Sequence, residues 1–142
     1  MALMPARVKF RKQQRGIIKG DAQRGNYVAF GDYGLQALER GMITGRQIEA
    51  CRVAVSRAAA AAGGQYWVRV FPHKPMSKKP LEVRMGTGKA DPDHWVAIVK
   101  SGSVMFEIGG LPVAVAKQAL SKAAAKLPVK CRLATRMTKV GG

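Results

Sequence analysis

The chain has 142 residues, with 25 Lys+Arg against 8 Asp+Glu, a formal charge of +17 and a hydrophobic content of 47%. That length and apolar content predict one compact domain with its own core and exclude a wholly disordered chain. Self-repulsion at this charge disfavours a compact state, so the composition calls for a polyanionic partner, with nucleic acid ahead of an anionic membrane surface. No apolar run approaches the ~20 residues that span a bilayer. The opening "MALMPARVKFRKQQRG" has a basic stretch without a following apolar region or cleavage site, so no secretory signal is read and a cytoplasmic chain is expected.

Residues 1–25 carry Arg7, Lys9, Arg11, Lys12, Arg15, Lys19 and Arg24 with Asp21 as their one acid. Their apolar residues keep no period, which predicts an arm that becomes ordered on a phosphate backbone. Tyr27–Phe30 has strand-forming residues, Gly31-Asp32 with Gly34 marks a turn, and Leu35–Leu38 is open between strand and helix. Thr44 and Gln47 have the spacing of a capping box, and Ile43 can pack on Ile48 as a staple. Ile48, Cys51, Val55, Ala58 and Ala62 then form one apolar stripe, and Gly63-Gly64 ends the helix. Arg46 and Arg57 project from its other face, with Arg52 beside the stripe; with Glu49 the one nearby acid, that face is a candidate RNA contact.

Tyr66–Phe71 reads as a strand stopped by Pro72. "PHKPMSKKP" is too rich in proline to form a helix or a central strand. Leu81, Val83 and Met85 alternate with polar residues in a short extended piece before the glycines. Trp95–Val99 is a strand, Ser101-Gly102-Ser103 a turn, and Val104–Ile108 the expected hairpin partner. A second helix begins near Pro112, with Val113, Ala116, Leu120, Ala123 and Leu127 as its stripe and Lys117, Lys122 and Lys126 off it; Pro128 ends it. Val129, Cys131 and Leu133 alternate with Lys130 and Arg132, giving a last strand with one apolar and one cationic face. The pattern predicts an α+β sandwich, two main helices packed on a mixed, mostly antiparallel sheet. A single domain, 1–142, is expected: a basic arm over 1–25 and a body over 26–142 with a protruding loop over 72–94.

The stretch "LEVRMGTGKADPDHW" suggests a phosphate-cradling loop, but the P-loop spacing fails at Val83 and Ala90, and a dinucleotide fingerprint fails at Asp91. His73 and His94 are far apart and no Cys/His/carboxylate cluster has ligand spacing, so no metal or other cofactor is expected. Asp91 and Asp93 flank Pro92 in what reads as a wet turn, better suited to balancing Lys89 than to acid–base work. Cys51 and Cys131 are isolated and read as small buried hydrophobes rather than a disulfide. Neither enzymatic catalysis nor a small-molecule substrate is expected.

What remains is a polyanion binder whose cations replace counterions on phosphate. The segment from Pro75 to Pro92 is long for a loop, stiffened by proline and freed by glycine, with Lys78 and Lys79 in its stem. Gly86 and Gly88 allow close backbone approach, and Arg84 can present a bidentate fork to a phosphate or base edge. From charge alone, a general RNA-binding or RNA-chaperone module is one reading.

The pieces "VKFRK", "FGDYGLQAL", "ITGRQIEACR", "WVRVFPHKP", "KPLEVRMGTGK", "WVAIVKSGSVMFEIGG" and "KAAAKLPVK" are similar, in order and over nearly the whole chain, to the bacterial large-subunit ribosomal protein L-sixteen family. The resemblance implies the α+β sandwich, with Leu35–Leu38 as strand, and a structural rather than catalytic role. It implies binding to large-subunit rRNA around the aminoacyl-tRNA site, contact with the tRNA there, and neighbouring large-subunit proteins as partners. It assigns rRNA contacts to Lys9, Arg11, Lys12 and Arg15, and a place toward the peptidyl transferase centre to Arg84, Met85, Gly86, Gly88 and Lys89. The chain departs from the family at Ile17-Ile18, where another basic residue is common, and at the loop tip. There Thr87 stands for a lysine and Ala90 for a glycine, which lowers the local charge.

Overall fold

The structure is a computed structural model and describes residues 4–7, 12–13, 16–77 and 92–136. Among them run, in order, β1 (Tyr33–Ala37), β2 (Gly41–Thr44), α1 (Gly45–Ala62), β3 (Gln65–Val68), β4 (Lys74–Ser77), β5 (Pro92–Val99), β6 (Val104–Gly109), α2 (Val113–Ala124) and β7 (Cys131–Thr135). The class is α+β, with two helices on antiparallel sheets. The strands divide into a four-stranded sheet ordered β3-β6-β1-β7 and a three-stranded sheet ordered β2-β5-β4. Among the described residues every ladder is antiparallel, and an isolated parallel bridge joins Asp21 to Ser101.

Helix α1 starts where local chemistry says it should. The Thr44 hydroxyl accepts from the Gln47 backbone N–H at 3.2 Å, and the Gln47 side chain accepts from the Thr44 N–H at 2.9 Å. Two otherwise orphaned donors are thereby satisfied at once. Ile43 and Ile48, on either side of the cap, are both fully buried. Gly63 closes the helix in the left-handed conformation at φ 74°, and no side-chain clash opposes it. The buried stripe is Ile48, Cys51, Val55 and Ala59, whereas Ala62 is exposed. In a run of alanines nothing distinguishes one face from another, and the packing against α2 sets the phase.

Helix α2 buries Ala116, Ala119, Leu120 and Ala123 against α1 and the β1 and β7 strands. Its sequence stripe is too long at both ends: Val113 is 54% exposed, and the helix stops at Ala124, ahead of Leu127 and Pro128. The α1 helix also touches β2, β3, β5 and β6, so it bridges both sheets. Phe106, Ile43, Ile48, Met105, Ile108 and Leu120 fill the space between the layers without exposure. Burial of each such side chain is worth about 1.5–3 kcal/mol.

The expected hairpin between Trp95–Val99 and Val104–Ile108 does not form. The first lies in β5, paired with β2 and β4, and the second in β6, paired with β1 and β3. The turn at Gly102 (φ 98°) exists, but other segments take the bonding groups around it. Ala22 donates to Ser101 O at 2.9 Å, Ala37 to Ser103 O at 2.8 Å, and Val104 to Gly25 O at 2.9 Å. The turn therefore carries the chain from one sheet to the other.

Two further expectations change. Tyr27–Phe30 joins no ladder, because the N–H groups of Ala29, Phe30 and Gly31 all point to one carboxylate oxygen of Glu107, whereas strand N–H groups alternate sides. The stretch after Pro72, assigned to a loop, forms the edge strand β4, and residues 92–94 open β5; Met76 pairs with His94. An edge is where a strand containing Pro75 is tolerated. Residues 78–91 connect β4 to β5.

Candidate nucleic-acid interface

Register places Gly34 beside Glu107 and Leu35 beside Phe106. Leu35 and Phe106 join the core under the helices. Gly34 and Glu107 face the segment around Val28, whose Cγ2 lies 2.9 Å from where a Gly34 Cβ would stand. Glu107 is completely buried there. Its Oε1 accepts from Ala29, Phe30 and Gly31 at 2.9, 2.8 and 2.9 Å, a cradle of successive N–H groups built for an anion. Its Oε2 lies 3.0 Å from Arg69 Nη1. That approach is off the hydrogen-bonding axis, so Oε2 gains coulombic compensation but no hydrogen bond among the described residues. Arg69 also donates to Tyr27 O at 2.6 Å and lies 5.6 Å from the Phe30 ring centroid.

The other carboxylates are also engaged within the fold. Asp21 reaches Arg40 at 4.0 Å, and Asp32 accepts from the Gly110 N–H at 3.1 Å. Glu39 accepts from the Lys130 N–H at 3.4 Å, Asp93 meets His94 Nδ1 at 2.8 Å, and Glu49 is paired with Arg52. The Arg52 hydrogen bond holds the Glu49 carboxyl below its usual pKa, and the same bond raises the guanidinium's. Every carboxylate among the described residues thus has an internal contact, and the surplus of cations is left facing outward.

Of the residues assigned to rRNA from sequence, Arg7, Lys12, Lys19, Arg24, Arg46, Arg57, Lys130 and Arg132 are all exposed. Lys9, Arg11 and Arg15 lie outside the described residues, as do Lys78, Lys79, Arg84, Met85, Gly86, Gly88 and Lys89. Arg24 rides on a segment fastened to the body: Arg40 Nε donates to Gly20 O at 2.9 Å, and Gly25 O accepts from Val104. On β7, Arg132 Nε donates at 2.7 Å to Gln36 Oε1, and Gln36 Nε2 in turn donates to Gly102 O at 2.8 Å and Asn26 O at 3.2 Å. A nearly buried amide therefore orients an exposed guanidinium. The helices add an arrangement not read from sequence. Arg57 of α1, Lys122 of α2 and Lys126 just beyond its end line a groove of ≈ 790 Å³ together with Ala58, Ala61 and Val115. Arg46 stands apart from them at the start of α1.

Burial pushes both thiols up to about 11, Cys51 and Cys131 alike, and both are free. Cys51 Sγ donates to Ala123 O at 3.3 Å, tying α1 to α2. These thiols serve as packing groups, since nucleophilic cysteines require a lowered pKa. Asp93 bonds to its neighbour His94; Asp91 and Lys89 lie outside the described residues. Among the described residues no three His, Cys, Asp or Glu side chains stand together, and no helix is long and apolar enough to cross a membrane.

Fold and charge together define a class: a small cationic α+β scaffold in which the described carboxylates are engaged within the chain and most described bases are exposed. The family model for ribosomal protein L16p/L10e matches residues 5–134. The large ribosomal subunit protein uL16 of Heliobacterium modesticaldum is 53% identical over 140 residues, covering 99% of this chain and 96% of that protein. The chain belongs to the ribosomal protein L16p/L10e family, and with membership comes a structural role in the translation machinery of the cytoplasm.

Proposed function

We propose that the protein is a structural constituent of the large ribosomal subunit that binds large-subunit rRNA near the aminoacyl-tRNA site. Neighbouring large-subunit proteins and the tRNA in that site are its further partners. Residues 76–90 extend from the β4–β5 stem toward the peptidyl transferase centre, with Arg84 and Lys89 offering cationic contacts to RNA. The protein positions and stabilises; peptide-bond chemistry stays with the RNA. The observation that supports this best is the charge arrangement: each carboxylate among the described residues has a contact within the chain, whereas Arg46, Arg57, Lys130 and Arg132 are exposed. Each exposed cation that displaces a counterion from phosphate adds salt-dependent affinity without needing sequence information. The family match and the name of the Heliobacterium relative agree with it.

Sedimentation of the tagged full-length chain from a lysate of its own cells tests the assignment. The protein is expected in the large-subunit fractions; recovery only as free protein overturns the proposal. An Arg84→Ala variant is expected to enter the subunit normally and to slow tRNA accommodation. Loss of incorporation in that variant would show that residue 84 holds the protein in place rather than meeting tRNA.

A further inference from the structure

Resting on the RNA-binding reading, a second feature of the molecule points to how it meets unpaired nucleotides. Phe30 is 59% exposed, so a large part of its ring is open to a ligand. It stacks on Trp67 with centroids 6.3 Å apart and planes 24° from parallel. The two rings border a crevice of ≈ 350 Å³ whose remaining wall is largely bare backbone, at Gly31, Gly64 and Gly109. A Cβ at Gly31 would lie 2.6 Å from Ile108 O, and one at Gly64 would lie 2.6 Å from Gly109 O. The close chain approach that shapes the crevice therefore requires glycine. Asp32 stands in the same wall, its Oδ2 fixed by the Gly110 N–H at 3.1 Å. The backbone N–H of exposed Arg136 donates to Asp32 O at 2.9 Å, which brings a cation to this edge.

We propose that this crevice takes one unpaired nucleobase of RNA, guanine in preference to the others. The stacked rings offer the π-face on which an unpaired base rests. The volume lies within the ~300–1,000 Å³ of small-ligand sites. A carboxylate accepts at both oxygens and can receive two adjacent donors. Guanine alone among the four bases presents N1–H and N2–H side by side on its Watson–Crick edge; adenine, cytosine and uracil set an acceptor next to their donor. Asp32 would repel those acceptors. Arg69, pinned by Glu107 and Tyr27 O, holds the Phe30 side of the crevice in place.

Fluorescence anisotropy with the full-length chain tests this, using one RNA hairpin unbulged or carrying a single bulged G, A, C or U at matched salt. The G-bulged hairpin is expected to bind about tenfold tighter than the unbulged one, from stacking. It should exceed the other three bulges by roughly fivefold or more, from the paired hydrogen bonds. Phe30→Ala should abolish the bulge advantage, and so should Phe30→Leu, which keeps an apolar contact to Trp67 if the alanine variant folds poorly. Asp32→Asn should bind all bulges alike while still accepting from Gly110. Equal binding of every hairpin by the unaltered protein, or a guanine preference that survives Asp32→Asn, overturns the site. Salt-dependent but base-blind binding would do so while leaving the RNA-binding reading intact, whereas that reading falls on the sedimentation result.

Discussion

The junction of β1 and β6 and the outer surface of α1 and of the approach to β7 treat charge in opposite ways. At the junction a carboxylate with no exposure is surrounded by three backbone N–H groups and a guanidinium, all supplied by the same chain. On the outer faces Arg46, Arg57 and Lys130 stand in water, and no described carboxylate contacts their side chains. The first arrangement is bound to folding: remove a member and a buried charge is stranded. The second contributes little to folding and leaves its electrostatic energy for a partner. In a chain of net charge +17, self-repulsion opposes folding, and the described carboxylates offset it by each holding a contact within the fold.

The largest effect should come from breaking the junction. Glu107→Ala is expected to cost about 3–5 kcal/mol, because three N–H donors lose their acceptor and Arg69 loses its counter-charge together. Chemical denaturation measures it, and Glu107→Gln, which keeps an acceptor oxygen for the N–H cradle, should cost less. A loss no greater than that of an ordinary surface substitution would erase the contrast between the two regions. Gly31→Ala comes next, at about 1–3 kcal/mol. The new methyl would meet the Ile108 carbonyl at 2.6 Å to oxygen and 2.9 Å to carbon, and backbone cannot swing aside as a side chain can. The same denaturation curve reads it.

Which of these features were legible in the sequence follows from how far apart their parts lie. The Thr44–Gln47 capping box and the Gly63 stop are local, complete within one turn, and both are found where the sequence puts them. The alternation of Lys130 and Arg132 with Val129 and Cys131 likewise announces a strand with a cationic face. The Glu107 cradle was invisible because its donors lie 76 to 78 residues away, and no local pattern marks a glutamate inside "VMFEIG" as an anion holding a loop. The false hairpin has the same origin. "SGS" is a turn, but its destination depends on Gly25 and Ala37 claiming the neighbouring bonding groups. The site divides similarly: single cations could be picked from charge and period, whereas the grouping of Arg57 with Lys122 and Lys126 exists only once α1 lies against α2.

The cap offers a mid-sized calibration between the two regions. Thr44→Ala should destabilise by about 1 kcal/mol, since it orphans the Gln47 N–H, and Thr44→Ser should restore most of that. A serine variant as weak as the alanine one would assign the effect to packing of the threonine methyl, not to the hydroxyl.

The smallest stability effect should belong to the outer cations, and there the comparison becomes sharpest. Arg57→Ala and Lys130→Ala, singly or together, should move the unfolding free energy by no more than about 0.5 kcal/mol each. Neither side chain holds a carboxylate among the described residues, and neither fills the core. In titrations of a large-subunit rRNA fragment, each removed cation should instead lower the slope of log K against log salt by about 0.7–0.9, if it meets a phosphate. Arg69→Ala provides the reverse control, because its guanidinium is committed to Glu107 and Tyr27 O: stability should fall while the salt slope stays nearly constant. Two arginines of one chain would then respond in opposite measurements, and the difference would lie in whether the counter-charge is built into the fold or arrives with the RNA. A salt slope that moved with Arg69 and ignored Arg57 would reverse the assignment of the two regions.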